Sequence, residues 1–147
     1  MAERPAAQAP KGPSEQELRE LALRGESLRQ QLSALDAQRE YVGEVLMETR
    51  RSLLTLENLE KTRQGDEILV PLGAGAFVHA ALADPTRALA SLGSGVHAEL
   101  PTAEAASRLR SRAESLEKTA DALARDASSV ADELARINAI VEQFYGG

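Results

Sequence analysis

A regular spacing of apolar residues in the second half of the chain constrains its fold more than any other feature. From Ala106 to Phe144 the steps alternate between three and four residues, and every position reached is apolar. A period of 3.5 residues keeps one face of a helix against a partner helix over its whole length, whereas an isolated straight helix drifts off such a stripe. The pattern therefore predicts a long coiled-coil helix. Its positions are Ala106, Leu109, Ala113, Leu116, Ala120, Leu123, Ala127, Val130, Leu134, Ile137, Val141 and Phe144.

A second series with the same spacing begins at Leu18 and runs through the first half of the chain, with Leu or Val at most of its positions. It follows Ser14, which together with Glu17 forms the Ser-x-x-Glu pattern of a helix capping box. We expect this first helix to end near Gly65, because glycine is common just beyond a last helical turn. Two basic residues would then lie in that turn, Lys61 and Arg63.

The two helices are of similar length, so the simplest arrangement folds the second back on the first as an antiparallel coiled coil. The second helix is expected to begin with Thr102 as its N-cap. The predicted register places Leu46 opposite Leu116 and Leu35 opposite Ala127, and a shift by one heptad is the open alternative. Two amphipathic helices of a globular bundle are the alternative fold, but they need a wider apolar stripe than these sequences have.

The segment between the helices, residues 66–100, has the pattern of β-structure. Short apolar runs predict strands at 67–72, 76–83, 88–92 and 96–100. Turn residues separate them, in the groups Gly73-Ala74-Gly75, Asp84-Pro85-Thr86 and Gly93-Ser94-Gly95. The sequence therefore predicts two β-hairpins.

These hairpins have apolar side chains on both faces; in 76–83, for example, Phe77 lies on one face and Val78 on the other. Four short strands cannot close a barrel by themselves and would leave open edges. Because the helices use their apolar seams on each other, we expect other subunits to complete the sheet. The residues expected to carry this assembly are Leu69, Val70, Leu72, Phe77, Val78, Leu82, Leu89, Leu92 and Val96.

The end of the coiled coil where both chain termini meet has more apolar side chains than a two-helix seam can bury. Leu23, Ile140 and Tyr145 lie off the heptad series. Exposed apolar patches commonly mark interaction sites, although frayed ends of the seam are the alternative interpretation. The candidate binding residues at this tip are Leu18, Leu21, Leu23, Ile140, Val141, Phe144 and Tyr145.

Composition and motifs argue against several other functions. The 147 residues include no Cys, which argues against disulfide scaffolds and zinc fingers and fits a reducing cytoplasm. The net charge is −6 with both signs interspersed, so nucleic-acid binding is not expected, and no apolar run is long enough to cross a membrane. Gly73-Ala74-Gly75 lacks the further residues of a nucleotide-binding loop. His79 and His97 have few metal-ligating residues near them in sequence, so we expect no metal site. The chain also lacks a plausible set of nucleophile, base and orienting residue, so we expect no catalytic or cofactor site and no enzyme.

A long helix, two β-hairpins and a second long helix, in this order, resemble the α-class subunit of prefoldin over residues 14–145. The most specific part is "LVPLGAGAFVHAAL" followed by "ALASLGSGVHAEL", which is similar to the double hairpin of that class. The resemblance implies a mainly α fold, in which two β-hairpins join the helices of a long antiparallel coiled coil and form part of an intersubunit β-barrel. Residues 14–147 would be a single domain, with its parts at 14–65, 66–100 and 101–145. Residues 1–13 lie outside the family pattern, and their Pro/Ala-rich composition predicts a disordered tail.

The same resemblance implies a function. Prefoldins of this type are heterohexamers of two α-class and four β-class subunits. They hold non-native polypeptides at the tips of their coiled coils without ATP and deliver them to a group II chaperonin in the cytoplasm. Since the periodicity by itself indicates only a coiled coil with an oligomerising sheet, a coiled-coil adaptor that links specific folded partners is the alternative function.

Overall fold

Along the chain, a long helix is followed by two β-hairpins and then by a second long helix. The structure, a computed structural model, describes residues 12–145, so that most of the predicted tail, residues 1–11, lies outside the described residues. Helix α1 spans Glu15–Leu59 and helix α2 spans Thr102–Tyr145. Strands β1 (Glu67–Gly73) and β2 (Ala76–Ala81) form the first antiparallel hairpin, and β3 (Arg87–Gly93) and β4 (Val96–Pro101) form the second. The predicted fold class is confirmed for the single chain.

The chain divides into two compact units. Of the described residues, the terminal unit contains 12–41 and 121–145, and therefore the start of α1 and the end of α2. The central unit is Val42–Ala120, which contains both hairpins and the adjoining helix segments.

Helix α1 begins with the predicted capping box. The Ser14 amide donates to Oε2 of Glu17 over 2.6 Å, and the Glu17 amide donates to Oγ of Ser14 over 3.2 Å. The hydrogen bond from the Ser14 backbone, followed by that from its side chain, lowers the pKa of Glu17 below its usual 4.5. The two residues thus satisfy amide groups that a helix start leaves unpaired.

The prediction that α1 continues to Gly65 is wrong, because the helix ends at Leu59. The Leu59 carbonyl accepts the Thr62 amide over 3.0 Å and the Thr62 hydroxyl over 2.6 Å, and these short-range bonds replace the next helical bonds. Gly65, at φ +88°, instead donates its amide to the Leu82 carbonyl. The predicted basic residues, Lys61 and Arg63, consequently lie beyond the last turn.

The predicted N-cap role of Thr102 also differs from what the structure shows. Thr102 is the first residue of α2 and is buried, and its hydroxyl donates to the Pro85 carbonyl over 2.7 Å. Its amide donates to the Thr86 carbonyl over 2.8 Å. Thr102 therefore fastens the start of α2 to the loop between the hairpins.

The predicted seam is the core of the terminal unit. Leu28, Val130 and Ile137 are buried together, and five half-buried residues pack against them: Leu21, Leu32, Leu35, Leu134 and Val141. The register follows from Gly25, where an added Cβ would lie 3.5 Å from Cγ2 of Ile137. Gly25 opposite Ile137 is the pairing that the predicted register gives for this unit.

Polar pairs join the two helices beside the seam in each unit. Arg24 contacts Glu133 in the terminal unit at 3.0 Å, and Arg110 contacts Glu57 in the central unit, also at 3.0 Å. All four side chains are substantially exposed, so each pair adds little to stability. The pairs help to fix the register, while the apolar seam supplies the stability.

Replacing Gly25 with Ala is expected to stabilise the protein by roughly 1 kcal/mol, because Ala is favoured over Gly by that amount inside a helix. The new methyl group would meet Ile137 at ordinary contact distance. Urea unfolding measures the change. Gly43→Ala is the matched control, since Gly43 lies in the same helix and a Cβ there would meet nothing within 4 Å beyond its own stretch of helix. A Gly25→Ala protein less stable than the wild type would mean that the seam has no room for the methyl group.

The hairpins follow the predicted strands to within a few residues. The largest difference is at 76–83, where β2 ends at Ala81. Leu82 and Asp66 continue the pairing by one backbone bond of 2.8 Å, and Asp84 then ends it by accepting the Thr86 amide and hydroxyl. These hydrogen bonds, that of the hydroxyl first, lower the pKa of Asp84.

Both hairpin turns need glycine for the same reason. In the first turn Gly73, Ala74 and Gly75 all have positive φ, at +98°, +51° and +79°. Residues with a Cβ rarely adopt this left-handed conformation, which explains the glycine on each side of the central residue. The second turn, 93–95, repeats the pattern with serine at its centre.

Candidate functional site

The hairpins of the central unit present an exposed apolar surface. Eight of the nine residues predicted for assembly are exposed, and Leu82 is half-buried. We call the exposed set the hairpin surface; it consists of Leu69, Val70, Leu72, Phe77, Val78, Leu89, Leu92 and Val96.

This surface occupies both faces of the hairpins. Val70 pairs with Val78 across the first hairpin, and the next pair towards the turn, Pro71 with Phe77, points to the opposite face. Each described sheet has only two strands, so each strand has one edge without a hydrogen-bonded neighbour in the chain. Exposed apolar faces next to open edges are the surfaces on which strands from another chain add.

The two hairpins are structural repeats with opposite charge at matched positions. Glu67 begins the first hairpin and contacts His79, while Arg87 begins the second and contacts Glu99 at 3.4 Å. In each hairpin this side-chain pair lies diagonally across the strands at the end away from the turn. Sequence analysis missed this reversal, although aligning the glycines of the two turns would have revealed it.

The tip of the terminal unit, where α1 begins and α2 ends, separates the seven predicted binding residues into two groups. Leu18 is 7% exposed, and Leu21, Ile140 and Val141 are half-buried, so these four are largely covered within the chain. The other three are exposed and form what we call the tip surface: Leu23 at 72%, Phe144 at 44% and Tyr145 at 58%. A role in binding remains a prediction for all seven.

Three other apolar side chains of α1 are exposed, and sequence analysis did not single them out. Met47 and Leu54 are one heptad apart in the central unit and line a shallow groove together with Arg50 and Arg51. Tyr41 is exposed in the terminal unit. Their positions off the heptad series were the available signal.

The motifs considered for chemistry have structural roles. Gly73-Ala74-Gly75 is a hairpin turn followed directly by β2 rather than by a helix. Within residues 12–145, no group of three or more His, Cys, Asp or Glu residues is placed to hold a metal ion. Among the helices described, none is both long and apolar enough to cross a membrane.

Comparison with known proteins identifies the family. The family model described as "Prefoldin subunit" matches residues 28–147. The prefoldin subunit alpha of Methanococcoides burtonii is 33% identical over 87% of this chain and 93% of its own length. The corresponding subunit of Pyrococcus horikoshii is 37% identical over 74% of this chain and 76% of its own.

A solved structure agrees with the fold. A chain of filamentous PFD from Methanocaldococcus jannaschii, determined by cryo-EM, has a TM-score of 0.66 and 22% identity to this chain. The match covers 82% of this chain and 98% of the other. With the order of helices and hairpins and the two curated relatives, the conclusion is that this chain belongs to the prefoldin chaperone family, as a subunit of its α class.

Proposed function

We propose that this chain assembles through its hairpin surface with β-class prefoldin subunits, as a heterohexamer of two α and four β subunits, and holds non-native polypeptides with its tip surface. The observation that carries the proposal is the position of the exposed apolar side chains. One set lies on the hairpins of the central unit, and another lies at the helix ends of the terminal unit. The two sets can therefore serve assembly and client binding separately.

Assembly follows from the cost of leaving the hairpin surface in water. Leu89, Leu72 and Phe77 are more than half exposed in the single chain. Burying a side chain of this size contributes roughly 1.5–3 kcal/mol when it is complete. Strands from partner subunits would cover the apolar faces and pair with the open edges, as in an intersubunit barrel.

Client binding at the tip surface follows from the kind of contact that Leu23, Phe144 and Tyr145 offer. They are separate exposed side chains on helix ends, and each is suited to a weak hydrophobic contact of roughly 1 kcal/mol. Weak contacts allow release without ATP, and several tips acting on one polypeptide supply avidity. Release to a group II chaperonin and action in the cytoplasm complete the proposal, and both rest on the family resemblance.

The test replaces the tip surface without disturbing the seam. Changing Leu23, Phe144 and Tyr145 together to Ser is expected to reduce protection of an aggregating client by at least about tenfold. The free energies of the three weak contacts add, so the reductions in affinity from losing each contact multiply. Light scattering of two unrelated unfolded clients at several chaperone concentrations measures the effect.

The matched control changes three equally exposed residues outside the tip surface to Ser, namely Tyr41, Met47 and Leu54. This variant is expected to protect clients as the wild type does, with both variants remaining assembled by sedimentation. Equal protection by all three proteins would contradict client binding at the tip surface. If the wild type protected no unfolded client but bound one folded partner, the alternative function of a coiled-coil adaptor would be favoured.

A further inference from the structure

Immediately before α1, the chain lies against an aromatic ring of the tip surface. A Cβ atom added to Gly12 would overlap Cε1 and Cζ of Phe144 and lie 3.2 Å from its Cδ1. The ring of Phe144 therefore leaves no room for a side chain at Gly12. The Gly12 backbone is therefore in direct contact with the face or edge of the ring.

The local sequence holds this short segment in place. The capping box of Ser14 and Glu17 fixes the direction in which the chain enters α1. Pro13 is half-buried, and its ring restricts both its own φ and the conformation of the preceding residue, Gly12. A restricted segment loses little entropy when it lies on a surface.

We propose that residues 12–14 form a strap that covers part of Phe144 and competes with client polypeptides for this ring. The strap deepens the proposed function of the tip surface and rests on it. Phe144 is less exposed than its neighbours in the tip surface, Leu23 and Tyr145, as partial cover requires. A client that contacts the covered part of the ring must first displace the strap. The apparent affinity for clients is then reduced by the fraction of time that the ring is covered.

The first experiment measures the strap without any client. The sequence contains no Trp, so Phe144→Trp introduces a single indole reporter into the full-length chain in its native assembly. Adding Gly12→Val is expected to displace the strap and expose the indole. The indole emission should then shift to longer wavelength. The acrylamide quenching constant of the indole should rise by about twofold, in proportion to the uncovered fraction. Gly43→Val is the matched control, since a Cβ at Gly43 would meet nothing within 4 Å beyond its own stretch of helix, and it is expected to change neither reading. Equal quenching with and without Gly12→Val would overturn the strap.

The second experiment measures competition with the native Phe144 in place. Gly12→Val alone is expected to raise the affinity for a fluorescently labelled unfolded client by about two- to fivefold, as a covered fraction of one half to four fifths predicts. An unchanged affinity in spite of a more exposed reporter would overturn the competition. Failure of the wild type to bind any client would instead count against the tip surface as a client site, and the quenching result would still report on the strap.

Discussion

Val78→Asp is expected to abolish assembly while leaving the helical content of the chain nearly unchanged. Val78 is 45% exposed in the single chain and pairs with Val70 on the same face of the hairpin. A partner subunit that covered this face would bury both side chains. A carboxylate that is buried there without a partner charge costs several kcal/mol, which weakens the association by about 100-fold or more. In the free chain the same carboxylate would still reach water, so the hairpin itself tolerates it.

Sedimentation velocity with the β-class partner measures the assembly, and circular dichroism measures the helices. The control is Val78→Thr, which keeps the shape and the β-branched side chain but adds no charge. It is expected to assemble with at most a modest loss of affinity. If Val78→Asp assembled as the wild type does, the first hairpin would not be part of the interface.

Leu28→Ala is expected to destabilise the terminal unit by about 3 kcal/mol, within the usual range of 2–5 for a buried Leu. Leu28 is 1% exposed and packs with Val130 and Ile137. The turn before Leu28 on this face carries Gly25, which has no side chain to move into the cavity.

Urea unfolding followed by circular dichroism measures this loss at a fixed protein concentration, because association also contributes to stability. Leu23→Ala is the matched control: the same change in the same helix, at a residue 72% exposed, is expected to alter stability by no more than about 0.5 kcal/mol. Similar losses for the two variants would mean that Leu28 is not the packing centre of this seam.

The seam was predictable because burial along a coiled coil depends on local periodicity. The second series is buried or half-buried at every position except its last, Phe144. The first series is interrupted by the exposed Arg39 and includes Thr49, which is buried with its hydroxyl bonded to the Val45 carbonyl. A period of 3.5 residues therefore identified the contact face even where the residue type was polar.

Features that depend on individual contacts, and not on the heptad spacing, were less predictable. Periodicity could not give the end of α1. The helix ends at Leu59, whose carbonyl accepts the Thr62 hydroxyl, and not near Gly65, where the sequence suggested a helix end. Periodicity also could not predict that Phe144, on the series, is exposed or that Ile140, off the series, is half-buried. The contact of Gly12 with Phe144 joins opposite ends of the chain, and no local pattern indicates such a contact.

Because the two hairpins form separate two-stranded sheets, the stability of the subunit in a cell depends on whether it has a partner. A lone two-stranded hairpin is marginally stable in water, so each hairpin would depend on a bound partner for much of its order. Newly made copies without a partner would then open often at these strands and be the first substrates for proteases. In the proposed assembly with β-class subunits, selective degradation of unpartnered copies would keep the numbers of the two subunits matched even when their synthesis is not.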